Sequence, residues 1–100
     1  MEKLIDKMIS KGTQDVTYKE IFELNGRKVK VEVKSDSYDF QCYARVKVLD
    51  LNNGWYVLYA IPHSEMKTRS GLYYVENWKD EKYFMEDVES LKKMAKELLN

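Results

Sequence analysis

Phe40-Gln41-Cys42-Tyr43-Ala44-Arg45-Val46-Lys47-Val48-Leu49-Asp50-Leu51-Asn52-Asn53-Gly54-Trp55-Tyr56-Val57-Leu58-Tyr59-Ala60-Ile61 is the stretch whose reading decides the fold. Phe40, Cys42, Ala44, Val46 and Val48 alternate with mostly polar neighbours, the period of a half-buried strand. Asn53 and Gly54 both tolerate positive φ and predict a two-residue turn. That turn pairs Asn52 with Trp55, Val48 with Tyr59 and Val46 with Ile61, so both apolar rows fall on one face. Tyr56, Leu58 and Ala60 are interleaved with the second row, and a strand apolar on both sides is either covered twice or keeps one face for a partner.

On the N-terminal side, Asn25-Gly26 marks another two-residue turn inside Tyr18 to Lys34. Pairing Leu24 with Arg27 sets Phe22 opposite Val29 and Tyr18 opposite Val33, while Val29, Val31 and Val33 alternate with Lys28, Lys30, Glu32 and Lys34. Glu20 then faces inward opposite Val31, a local conflict that suggests a bulge or an edge position. Before this hairpin, Leu4, Ile5, Met8 and Ile9 make a narrow helical stripe ended by Gly12, predicting a short N-terminal helix.

On the C-terminal side, residues 62–71 form a polar loop with the chain's one proline and one histidine, and Leu72 to Val75 read as a further strand. Phe84, Val88, Leu91, Ala95 and Leu98 step by four, three, four and three, an amphipathic helix running from about Glu86 through Leu99. The expected architecture is α+β: an antiparallel sheet of four or five strands, built from the two Asn-Gly hairpins plus one strand. A short N-terminal and a longer C-terminal helix pack on one face.

One hundred residues make one domain, 1–100, large enough for its own core. A single cysteine excludes an intramolecular disulfide and gives no support to an oxidising compartment or a cysteine-based metal site. Seventeen basic and seventeen acidic residues cancel, so the total charge supplies no field to steer nucleic acid or anionic lipid. Charges interrupt Met1 to Asp6 where a secretory leader needs an apolar core, and no apolar run approaches the ~20 residues of a membrane span. These features place the chain in the cytoplasm, or in a host's cytoplasm if a phage encodes it, with no membrane partner.

Catalysis finds no assembled set. His63-Ser64-Glu65 are adjacent in a loop, whereas nucleophile, base and orienter come from distant segments. Cys42 lies on the inward row with no basic neighbour there. Asp36, Asp39 and His63 match no calcium or zinc spacing, and there is no phosphate-binding loop or HExxH motif. The expectation is a chain that is not an enzyme and carries no cofactor or metal.

Binding is better supplied. Eight tyrosines and two tryptophans exceed what one small core needs, and tyrosine, tryptophan, arginine and methionine are enriched at protein contacts. The candidate surface is the sheet face opposite the core, with Tyr43, Arg45, Lys47, Tyr56 and Leu58, joined by Met66, Lys67 and Arg69 of the loop. Its expected partner is another protein, either a target or a second copy of the chain. Nucleic acid comes second, because aromatics interleaved with basic side chains can also stack bases. A small-ligand site between sheet and helix near Trp55 and Tyr59 is a remote third.

Ser90-Leu91-Lys92-Lys93-Met94-Ala95-Lys96 resembles the lysine-rich start of the last helix in double-stranded-RNA-binding domains over about ten residues. Here carboxylates precede it and no glycine-rich turn does, which gives the phosphate-contacting end the wrong charge. In size and composition the chain is similar to small inhibitors and adaptors, among them phage and mobile-element proteins that block host defence enzymes such as CRISPR nucleases. That likeness implies a non-catalytic protein-binding role.

Overall fold

The structure is a computed structural model that describes residues 2–12, 15–36, 41–61 and 81–99. Five strands follow one another, β1 (Glu2–Lys11), β2 (Asp15–Leu24), β3 (Arg27–Asp36), β4 (Gln41–Asp50) and β5 (Gly54–Ala60), and one helix, α1 (Glu81–Leu99), closes the described chain. The strands form a single antiparallel sheet in the order β1-β2-β3-β4-β5. The α+β class holds; the strand proposed at Leu72 to Val75 lies outside the described residues.

The β2–β3 hairpin has the expected register throughout: Leu24 pairs with Arg27, Phe22 with Val29, Glu20 with Val31 and Tyr18 with Val33. Its turn is built by Asn25 and Gly26 at φ 52° and 79°, where an asparagine and a glycine carry little steric penalty. Val16, Tyr18, Phe22 and Leu24 of β2, Val29, Val31 and Val33 of β3, and Ala44 and Val46 of β4 form one buried face. α1 covers that face with Val88, Leu91 and Ala95, and Met85 and Leu99 flank them. The helix begins five residues before the expected Glu86.

The N-terminal helix is corrected to strand β1, which pairs with β2 along its length. The register slips between Leu4 and Asp6, leaving Ile5 as the extra residue of a bulge. A bulge reverses the alternation, so Leu4 and Ile9 share a face although their numbers differ in parity. The resulting spacing of apolar residues imitates a helical stripe. Ten residues are too few for a stable isolated helix, and pairing to β2 decides the outcome. The bulge or edge position expected at Glu20 is not found: β2 is an interior strand, and Glu20 pairs with Val31 on one side and Lys7 on the other without a slip.

The central hairpin is also corrected. Asp50 pairs with Gly54 and Val48 with Tyr56, so three residues, Leu51 to Asn53, make the loop. Asp50 sets this geometry: its carboxylate accepts hydrogen bonds from the Asn52 N–H at 2.9 Å and from Asn53 Nδ2 at 3.0 Å, and Gly54 sits at φ 77°. A second slip follows, with Lys47 opposite Val57 but Val46 opposite Tyr59, so Leu58 is the bulge residue. Trp55 and Val57 consequently face away from the core, whereas Tyr56, Tyr59 and Ile61 lie on the core side.

Candidate functional site

The face opposite α1 is built from the outward positions of β2, β3 and β4. Among their described side chains, Lys19, Lys28, Lys30, Lys34, Arg45 and Lys47 stand against Asp15, Glu23 and Glu32. A chain of zero total charge thus carries an excess of positive charge on one side of its sheet. Folding has segregated charges that composition shows as balanced.

Glu32 is the centre of this face. It is 3% exposed although it points away from the core, because cationic side chains close over it. Arg45 Nε donates to Glu32 Oε1 at 2.9 Å, Lys47 Nζ lies 3.0 Å from the same oxygen, and Lys19 Nζ lies 3.9 Å from Oε2. Register explains the row, since Glu32 stands opposite Lys19 on one side and Arg45 on the other. Burial alone would raise its pKa, but the hydrogen bonds from Lys47 and Arg45 outweigh it and hold the carboxyl below its ordinary range.

Lys30 and Lys47 are directly opposed, an arrangement of like charges that costs stability in a sheet. Burial draws Lys30 below the ordinary lysine range; Glu32 opposes that shift, and Lys47, Lys19 and Arg45 reinforce it. Two rings hold the cations in place: Lys30 Nζ sits 4.4 Å from the Trp55 ring centre and Arg45 Cζ 4.0 Å from that of Tyr43. Burial and the nearby Glu32 raise the Tyr43 pKa, so it remains a neutral hydroxyl at neutral pH. Exposed Val57 lies on the same side, opposite Lys47. The arrangement can recognise carboxylates or phosphates; it holds no nucleophile with a base.

Of the residues expected to form the site, Tyr43, Arg45 and Lys47 are brought together here. Tyr56 is placed on the other face, where its hydroxyl accepts a 2.9 Å hydrogen bond from Arg27 at the end of the sheet. Leu58 packs against the core. The three-residue loop inverts the parity of Trp55, Tyr56 and Val57, and Leu58 is the bulge residue after which Tyr59 returns to the expected face. Met66, Lys67 and Arg69 lie outside the described residues, as do His63, Asp39 and the side chains of Asp36 and Cys42. Lys19, Lys30 and Trp55 were missed; a β3–β4 register read from the valine rows would have lined up Lys19, Glu32 and Arg45.

A recess of about 320 Å³ lies at the turn end of the sheet, lined by Gly26, Arg27, Lys28, Leu49 and Leu51. Neither Trp55 nor Tyr59, considered for a small-ligand site, lines it, and the two stand on opposite faces of β5. Among the described residues, no group of three histidine, cysteine or acidic side chains is placed to hold a metal ion, and no helix is long and apolar enough to cross a membrane. Comparison with known protein families, with curated proteins and with solved structures finds no match for this chain.

Proposed function

We propose that this chain is a non-catalytic protein-binding module, a small inhibitor or adaptor, whose working surface is the outer sheet face around Lys30, Arg45, Lys47, Tyr43 and Trp55. The observation that carries the reading is the direct opposition of Lys30 and Lys47 beside a single carboxylate. An arrangement that costs the free protein stability is explained by a partner that supplies the missing negative charge. Arginine, tyrosine and tryptophan around an apolar Val57 are the composition of a contact surface rather than of a solvated one.

Nucleic acid is the second reading, favoured by the same excess of positive charge. Against it, Lys30 and Arg45 already stand over the rings of Trp55 and Tyr43, where a stacked base would have to sit. An acidic protein surface needs no such displacement.

Tagged protein should capture a partner from lysate of its source, with nuclease present, and Lys30→Glu should lower the captured amount at least about tenfold through like-charge repulsion with the partner. Capture abolished by nuclease would transfer the function to nucleic acid. Capture equal in the wild type and in Lys30→Glu would remove the outer face from the mechanism.

A further inference from the structure

We infer that Lys30 is a modification site, the lysine at which this chain takes an acyl group from an anionic donor of the acyl-phosphate class. Four cations stand around Glu32, and three of them share its oxygens: Arg45 Nε at 2.9 Å and Lys47 Nζ at 3.0 Å from Oε1, and Lys19 Nζ at 3.9 Å from Oε2. Lys30 is the fourth. Among the described residues, no carboxylate lies within ion-pair distance of its amine.

The fold fixes where that amine sits. β3, β4 and β5 are consecutive neighbours in the sheet, and Lys30 Nζ lies 4.4 Å from the centre of the Trp55 ring, so the two side chains meet above β4. The direct partners of Lys30 are Lys47 on β4 and the uncharged Ile21 on β2, with Lys19 and Arg45 one row further along. Burial favours the neutral amine, and so do the like charges of Lys47, Lys19 and Arg45; Glu32 acts against them and is outweighed. The attraction of the Trp55 ring for the ammonium is small at a partly exposed site and serves to hold the amine in place. Lys30 therefore combines a larger share of free amine than an ordinary lysine with access to solvent, and only the free amine has a lone pair with which to react.

The class of donor follows from the surroundings. Arg45, Lys47 and Lys19 share a single carboxylate, so N–H groups that Glu32 does not fill remain for an incoming anion. A face with surplus positive charge also concentrates anions beside it. A phosphate held by Lys47 brings the acyl carbon attached to it within reach of the amine across the ladder. The nitrogen lone pair attacks the carbonyl carbon and forms the C–N bond. The C–O bond to phosphate breaks, phosphate leaves with the electron pair beside Lys47, and the proton lost from nitrogen passes to the leaving phosphate. The product amide is neutral: it ends the like-charge opposition with Lys47 and takes one positive charge from the face. Acylation should then weaken capture of an acidic partner, a consequence that rests on the binding role proposed above.

The test uses the purified full chain with no partner present, so its result is independent of that role. The chain is incubated with acetyl phosphate at neutral pH and low salt, and acetylation of each lysine is followed in time by peptide mass spectrometry. Lys30 should react about tenfold faster than the exposed Lys28 and Lys93, the lower end of what a field of one sign adds to the encounter with an anion. In about 1 M potassium chloride, where charges are screened beyond about 3 Å, the three rates should draw together. Lys47→Met should likewise remove most of the advantage, by taking away both the nearest like charge and the hold on phosphate. Circular dichroism confirms that the variant is folded, and the salt series on the wild type needs no variant. Lys30 reacting no faster than Lys28 overturns the inference. So does an advantage that is unchanged by salt, or one that survives in full in folded Lys47→Met.

Discussion

Two buried glutamates, twelve residues apart in sequence and on opposite faces of the same sheet, show what each face is for. Glu20 lies among the valines beneath α1 and is matched to a cation of that helix: Lys92 Nζ is 2.5 Å from Oε2. The Tyr18 hydroxyl donates to Glu20 Oε1 at 3.3 Å. Burial and the Glu20 carboxylate together raise the Tyr18 pKa, so the phenol stays a donor at any physiological pH. Glu32 is matched to an excess, with Lys19, Arg45 and Lys47 on its oxygens and Lys30 beside them. The first carboxylate is balanced and ties the helix to the sheet. The second is outnumbered, and leaves its face with charge to offer.

The sharpest way to break the contrast is at Lys92, which also reaches Glu2 at 3.3 Å and lies 5.7 Å from the Phe22 ring centre. Burial would lower its pKa, but Glu20 and Glu2 together raise it above the ordinary lysine value. Lys92→Met leaves Glu20 buried without its cation and should cost about 3 kcal/mol, the scale for removing one partner of a buried pair. The double change Glu20→Leu with Lys92→Met should recover most of that, since apolar replacements of a buried pair are near neutral. Urea unfolding of the two variants and the wild type measures both steps. A cost below about 0.5 kcal/mol for Lys92→Met, the scale of an exposed pair, would show that the helix is held by packing alone. The contribution of Lys92 is present below its unfolded pKa of 10.5 and should disappear as pH rises through the raised value, so the wild type should lose stability in strong base sooner than the double variant.

Legibility in the sequence divides along the same line. The β2–β3 hairpin could be read residue by residue because Asn25 and Gly26 supply both positive φ values that a two-residue turn needs. Asn53 and Gly54 looked identical, yet only Gly54 lies at positive φ, because the Asp50 carboxylate organises a longer loop from outside the pair. Each bulge then shifts one strand by a single residue, and with period-two alternation a single residue is a whole face. The longer loop is why Tyr56 was assigned to the binding face and Trp55 was not; the bulges are why Leu58 was assigned there and why Leu4, Ile5, Met8 and Ile9 imitated a helix. Tyr43, Arg45 and Lys47 could be placed because β4 has no bulge of its own. The burial of Glu32 could not be read, since it depends on three strands lining up.

Glu32→Gln sharpens the comparison from the other face. The amide keeps the shape and one acceptor but removes the charge that offsets Lys19, Arg45 and Lys47. The expected cost at neutral pH is roughly 1–2 kcal/mol, below that of Lys92→Met because the cations are partly solvated. The sign with pH follows from the lowered pKa. Glu32 stabilises the fold above its unfolded value of 4.5, and that contribution is lost as pH falls through the lower folded value. Wild-type and Glu32→Gln melting curves should therefore converge in acid. Curves that stay parallel from pH 7 to pH 3 would mean that Glu32 acts by packing and not by charge.

The smallest effect on stability belongs to the residue expected to matter most for binding. Lys30→Glu gives up the contact with Trp55, worth about 0.5–1 kcal/mol at a partly exposed site. It also turns the like-charge opposition with Lys47 into an attractive pair, a gain of about 0.2–1 kcal/mol. The two nearly cancel, and unfolding free energy should stay within about 0.5 kcal/mol of wild type while capture of the partner falls. A face held by structure alone would lose stability and binding together; a face reserved for a partner loses only the second. If Lys30→Glu unfolds the protein, the lysine belongs to the fold, and the working surface must be sought elsewhere on the sheet.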